Sequence, residues 1–285
     1  MNFNNKKIAI IGLGLMGGSL GMALKKRFKK MKVYGVSRSN IKIRTAVKNN
    51  VIDSGTCDVC SLLENECIDI IFIATPVSVI KDFIQKIDRY AHNNIIVSDL
   101  GSTKAKLMRW VSHRKFKHIN FVGCHPMAGS HQSGLDAAQI DLYCNSFCFI
   151  TRTPKEGKRA FNIICGLWKA LGVRTVIVDP YEHDKIVAKV SHFPHAVASL
   201  IVDTISRNST DIFKFVGPGF LDATRIAQSS PSLWVDIFQS NKSNVIKEMK
   251  HFRRRVDSFI SILKSKNIKR LKTFLTRVNI QRQNI

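Results

Sequence analysis

Ile8-Ala-Ile-Ile-Gly-Leu-Gly-Leu-Met-Gly17 is the stretch on which the fold turns. A short β-branched run leads straight into Gly12, and Gly12, Gly14 and Gly17 are spaced as G-x-G-x-x-G. Alone that spacing says little; between a strand and a helix it describes a dinucleotide cradle. The first glycine permits a tight turn, the second lets backbone approach a pyrophosphate, and the third lets helix and strand pack closely. Gly12, Gly14, Leu15, Met16 and Gly17 are therefore the first predicted cofactor contacts, with phosphate at the helix N-terminus.

Downstream, strands and helices alternate. Ser19 to Phe28 reads as a helix with a basic end, Lys32 to Ser37 as a strand, and Ile41 to Asn50 as a helix. Ile68 to Thr75 reads as a buried strand stopped by Pro76, followed by a helix over Val79 to Tyr90 and a strand over Asn94 to Ser98. Further strands are predicted at Asn120 to Gly123, Phe147 to Thr151 and Val173 to Val178, with a helix from Glu156 to Leu171. Such alternation predicts an α/β fold, a Rossmann-type doubly wound parallel sheet. After Pro180 strand signals fade and helical periodicity takes over. The predicted division is a nucleotide-binding domain over 1–179 and an all-α domain over 180–285.

Composition narrows the function classes. The chain has 285 residues and a 45% hydrophobic fraction, which fits a globular protein. Its net charge of +25 raises nucleic-acid binding. The bases are scattered from Lys6 to Arg282, however, with no RNA-recognition signature, zinc finger or aromatic-interleaved stripe, so no specific nucleic-acid partner is expected. A basic surface still attracts anionic substrates and phosphorylated cofactors. Seven cysteines argue against a disulfide framework. Cys57-Asp-Val-Cys60 has redox or zinc-knuckle spacing but reads as lying outside a strand-to-helix start, and no metal is expected. Glycines break the apolar stretch from Ile8 to Leu24, and no small-residue cleavage site follows. A cytoplasmic protein without a membrane span is the expectation.

Cofactor choice turns on the end of the second strand. NAD-selective sites place a carboxylate there for the ribose 2′-hydroxyl. Tyr34-Gly-Val-Ser-Arg-Ser39 has none, whereas Ser37 and Arg38 suit a 2′-phosphate, so NADP is favoured over NAD. Thr75 and Pro76, ending a central strand, should border the cofactor.

Three segments should meet beside the nicotinamide: Asp99-Leu-Gly-Ser-Thr-Lys104, Phe121-Val-Gly-Cys-His-Pro-Met-Ala-Gly-Ser130, and Ser191-His-Phe-Pro-His195. His125 sits between Gly123 and Pro126 just after a short apolar run, where an imidazole can handle a proton while a cofactor takes hydride. Ser102 lies in a loop that aims a hydroxyl into the cleft, or caps the helix beginning near Thr103. His192 and His195 are three apart, on nearly the same helix face, and Pro194 should bend that helix. With the glycine fingerprint, these motifs resemble the prephenate/arogenate dehydrogenases of tyrosine biosynthesis, from about Lys6 to about residue 280.

The resemblance implies oxidative decarboxylation of prephenate, or of its amino counterpart arogenate. Hydride leaves the hydroxyl-bearing ring carbon as carbon dioxide departs. It assigns His125 as acceptor of the hydrogen bond from the ring hydroxyl, with Ser102 contacting the same hydroxyl and orienting His125. Arg225, in Asp222-Ala-Thr-Arg-Ile226, matches a substrate-carboxylate ligand, a role that suits a guanidinium fork. His195 matches a residue near substrate and cofactor. The resemblance also implies a homodimer through the helical region. No room is expected for a regulatory domain, so tyrosine would act only at the active site or dimer interface. A β-hydroxyacid dehydrogenase is the enzymatic rival, since Gly12 to Gly17 suits it nearly as well. Its usual lysine context is absent, and it gives no reason for His125 or for Ser191 to His195.

Overall fold

A computed structural model of the chain describes residues 3–130, 132–151, 157–207 and 210–284. It resolves into two compact units, Met1–Lys242 and Ser243–Ile285. The first holds an eight-stranded sheet. Its strands are β1 (Lys7–Ile11), β2 (Lys32–Val36), β3 (Ser54–Thr56), β4 (Ile70–Ile73), β5 (Ile95–Asp99), β6 (Ile119–Pro126), β7 (Phe147–Thr151) and β8 (Arg174–Ile177). Their spatial order is β3-β2-β1-β4-β5-β6-β7-β8. Chain order reverses between β1 and β4, the switch point at which such sheets bind dinucleotides.

Strand residues alternate between two cores because successive side chains point to opposite faces. Ile8 and Ile10 join one core with Phe72, Val122, Ile150 and Trp168; Ala9 and Ile11 join the other with Ile73, Val97 and Phe121. Helices α1 (Leu15–Arg27), α2 (Asn40–Lys48), α3 (Val59–Asn65), α4 (Val77–Tyr90), α5 (Ala105–Ser112) and α6 (Lys158–Ala170) cover these faces. The predicted first residue of α6, Glu156, lies outside the described residues. Two departures from the sequence reading matter. β7 runs antiparallel to β6, because the segment joining them contains no crossover helix. β6 also continues through Pro126, so His125 belongs to the strand rather than to a loop after it.

The helical part of this unit opens with α7 (Pro180–Val187), capped by Asp179, whose carboxylate accepts from the amides of Tyr181 and Glu182. A π-helical turn over Ala188–His192 leads into α8 (Phe193–Ser206). Pro194 stands just after this π-turn, in a backbone that stays helical through His192 and Phe193. α9 (Pro218–Thr224), a short 3₁₀ turn over Arg225–Gln228 and α10 (Pro231–Ser240) follow. The second unit is a hairpin of α11 (Lys242–Lys264) and α12 (Ile268–Gln283), turned at Lys266, whose φ is 51°. Among the described residues, no helix is long and apolar enough to cross a membrane.

Candidate active site

The glycine fingerprint forms the predicted cradle. Gly12 has φ of +99°, and a Cβ there would stand 2.6 Å from the Ala74 carbonyl oxygen. A Cβ on Gly17 would fall 2.0 Å from the Gly12 oxygen, so strand and helix close only over glycine. At Gly14 a Cβ would meet nothing within 4 Å; this is open space at the N-terminus of α1. The first turn of α1 has no acidic residue and no side-chain cap, which leaves its amides for an anion. Leu15 and Met16 are half-buried beside it, and Thr75 and Pro76 follow β4, with Pro76 at the N-cap of α4. These residues fit a dinucleotide.

Beyond β2, the Ser37 amide donates to the Thr56 oxygen, and Ser39 caps α2 by accepting from the Lys42 amide. Arg38 is exposed and makes no ion pair among the described residues. Cys57 follows β3 and Cys60 stands in the first turn of α3, correcting the expectation that they stand outside a strand-to-helix start; β3 was invisible because Ser-Gly-Thr carries no strand pattern. Both thiols are free, and the Cys57 thiol donates to Asn40 Oδ1.

The loop after β5 is locked by a buried ion pair. Lys104 Nζ lies 2.6 Å from Asp99 Oδ2, both side chains being fully buried. Lys104 also donates to the Gly101 oxygen at 2.7 Å, while Asp99 accepts from the amides of Gly101 and Cys124. Removing either partner would strand a charge in the interior, so the pair fixes this loop's shape. Ser102 rides on it, half-buried. It does not cap the next helix: α5 begins at Ala105, and the Asp184 carboxylate accepts from the amides of Lys104 (2.7 Å) and Ala105 (3.0 Å).

Asp184 also orders a histidine relay. His183 Nδ1 lies 2.8 Å from Asp184 Oδ1, and His183 Nε2 lies 2.8 Å from His125 Nδ1. The proton positions follow from the partners. A carboxylate only accepts, so His183 carries hydrogen on Nδ1 and offers the lone pair of Nε2. His125 must then donate from Nδ1, which leaves its Nε2 unprotonated. Burial, followed by the charges of His183, Lys104 and His192, holds His125 well below the ordinary histidine range. His183 is also held down, chiefly by burial and against the opposing pull of Asp184. His125 is thus a neutral base with one defined tautomer. No hydrogen bond joins Ser102 to His125 among the described residues; the orienting contact comes from His183.

His192 and His195 converge on one aromatic wall. The His195 ring stacks on Trp234 with centroids 3.5 Å apart and planes 7° from parallel; His192 meets Trp234 edge-on at 6.0 Å. Burial lowers both to about 4, so both are neutral at pH 7. His192 Nδ1 contacts the Asn241 amide, while His192 Nε2 and His195 Nδ1 are buried with no hydrogen-bond partner among the described residues. Arg225 opens the 3₁₀ turn that packs on α8, exposed and without an ion pair among the described residues.

Comparison with known proteins gives the family. The profile described as prephenate dehydrogenase, nucleotide-binding domain, matches residues 20–177, and that of the prephenate dehydrogenase dimerization domain matches residues 179–277. The prephenate dehydrogenase of Bacillus subtilis is 33% identical over 95% of this chain and 74% of its own length. This chain belongs to the prephenate dehydrogenase family. The structure of an Aquifex aeolicus prephenate dehydrogenase in complex with hydroxyphenyl propionate and NAD+ is similar throughout. Its TM-score is 0.92 and its identity 33%, with 98% of each chain covered. A Synechocystis arogenate dehydrogenase follows at 26% identity and TM-score 0.80, covering 98% of this chain and 99% of its own.

Within this prephenate dehydrogenase-family fold, four site residues escaped the sequence reading: Lys104, His183, Asp184 as an anchor, and Trp234. The available signal was a His-Asp pair directly after the Asp179-Pro180 helix start, and a lysine in an otherwise uncharged loop after β5.

Proposed function

We propose that the protein converts prephenate to 4-hydroxyphenylpyruvate and carbon dioxide with a nicotinamide cofactor as hydride acceptor. The observation that carries this reading is the 2.8 Å contact of buried His125 Nδ1 with His183 Nε2, which with Asp184 behind it makes His125 Nε2 the lone-pair nitrogen. The bound nicotinamide would supply the hydride acceptor. The chain's own groups do the rest. His125 Nε2 takes the ring-hydroxyl proton as hydride leaves that carbon and the ring carboxylate departs. The positive charge it gains is spread toward Asp184 through His183. Ser102 supplies a second polar contact to the hydroxyl, Arg225 grips a substrate carboxylate, and His195, backed by Trp234, borders the substrate.

NADP is the favoured cofactor. A free Arg38 beside Ser37, with no carboxylate ending β2, suits a 2′-phosphate. We also place the functional division at 179/180, with 1–179 holding the cofactor and 180–285 serving substrate binding and homodimer formation in the cytoplasm. Exposed apolar side chains such as Leu200, Phe215 and Leu221 on this helical part support an interface with a second copy. Arogenate remains the second reading for substrate, favoured by the likeness to the Synechocystis enzyme. Absorbance of reduced nicotinamide in four mixtures, prephenate or arogenate with NAD or NADP, tests the reaction, its substrate and its cofactor. Fastest turnover with prephenate and NADP is expected. Silence in all four, with cofactor still bound, would reject the reaction.

A further inference from the structure

The hairpin unit Ser243–Ile285 holds twelve Lys and Arg residues against two acids, Glu248 and Asp257. Its helices enclose a groove of about 510 Å³. Arg255 lines it from α11, and Lys269, Arg270 and Arg277 line it from α12. No carboxylate lines it, and none of the four cations forms an ion pair among the described residues. Ser258, Asn267 and Thr273 add neutral hydrogen-bonding groups, and the floor is apolar, formed by buried Ile262 and by Phe274. The Arg277 guanidinium lies over the Phe274 ring, 5.5 Å from its centroid.

Convergent cations with no counter-charge repel one another, and an anion seated among them relieves that repulsion. The concavity has the volume of a small-ligand site and combines an apolar base with a few polar groups. We propose that this groove is a binding site for a phosphate-bearing anion of nucleotide size, separate from the dinucleotide cradle of the first unit. Two or more phosphate charges match the four cations, and a flat ring matches the Phe274 floor. A second copy is the alternative occupant, since residues 179–277 match the dimerization profile; a lining with four cations and no carboxylate favours the anion.

The test uses the full chain at low salt with the first unit's cradle saturated by NAD+. Calorimetric titration with pyrophosphate and with ATP should each give saturable one-to-one binding, tighter for ATP. In an Arg255→Gln/Arg270→Gln variant both affinities should fall about tenfold or more, while turnover and the KM for NAD+ stay unchanged. Equal affinity in variant and parent, or no saturation in the parent, overturns the proposal. So does a change of oligomeric state in the variant with anion affinity intact, which assigns the face to a second copy. Duplex DNA binding more tightly than ATP would also overturn it.

Discussion

The nucleotide cradle and the histidine relay belong to the same compact unit, and they are built in opposite ways. Gly12, Gly14 and Gly17 fall within a single strand-to-helix turn and act by what they lack, leaving backbone amides as the groups on offer. His125 and His183 are 58 residues apart, and they act through side-chain atoms whose roles depend on Asp184. A local, backbone-made site excludes side chains at Gly12 and Gly17, and it announces itself in the chain. A dispersed, side-chain-made site is defined by two linked hydrogen bonds and announces only its end member.

If the relay is the seat of chemistry, damage to it should lower kcat, whereas damage to the cradle should raise the KM for the cofactor. The largest effect is expected for His125→Asn: a fall in turnover of about 10²–10⁴-fold with cofactor affinity and fold retained, read by steady-state kinetics beside calorimetry. Unchanged turnover would remove His125 from the reaction. Asp184→Asn comes next. Its amide NH₂ must face one of three N–H donors, from Lys104, Ala105 or His183. Turnover should drop roughly ten- to a hundredfold, with an altered pH profile and an unaltered dinucleotide Kd. A variant that lost only thermal stability would reduce Asp184 to a helix cap.

Arg225→Ala should raise the KM for prephenate by about tenfold with little change in kcat, and an unaltered KM would reject the carboxylate grip. Gly14→Ala sharpens the other side. Its Cβ enters open space, so the melting temperature should hold while cofactor affinity falls a few-fold. Equal loss of both would mean that Gly14 serves the fold and not the ligand.

The smallest effect is one of acidity. His192 and His195 have native values of about 4, below the ordinary 6.5. The unfolded chain therefore binds protons that the native state refuses, and their contribution is present above pH 6.5 and lost as pH falls toward 4. Melting temperatures taken between pH 7 and 4 should decline across that window. A flat profile would mean that these rings are better solvated than their burial implies. Because His125 is also depressed, the acid limb of kcat/KM should lie below pH 6.5.

The same contrast explains what could be read in advance. β1, β4 and β5 are apolar runs with turn residues at their ends, and β7 was read to its observed bounds. The glycine spacing foretold the strand-to-helix turn between β1 and α1, and the Gly- and Pro-flanked motif singled out the histidine that the structure buries at the end of β6. β3 was missed because three residues of neutral propensity become a strand only through pairing with β2. The reversal at β7 was hidden because strand direction is fixed by the connecting segment, and that segment carries no periodic signal. His183 was missed for a different reason. In sequence it is an ordinary helical histidine, and its meaning arises when α7 docks beside α5.

That docking also sets an order of events in the life of each molecule. On a ribosome the chain completes its glycine turn, and then β6, well before residue 184 emerges. Until then nothing dictates which nitrogen of the imidazole on β6 keeps its hydrogen, and α5 starts with bare amides. One late carboxylate resolves both at once. If His125 is the base, the chain therefore carries its own delay: the proton acceptor is set only when the carboxylate of α7 arrives, long after the glycine turn has been made.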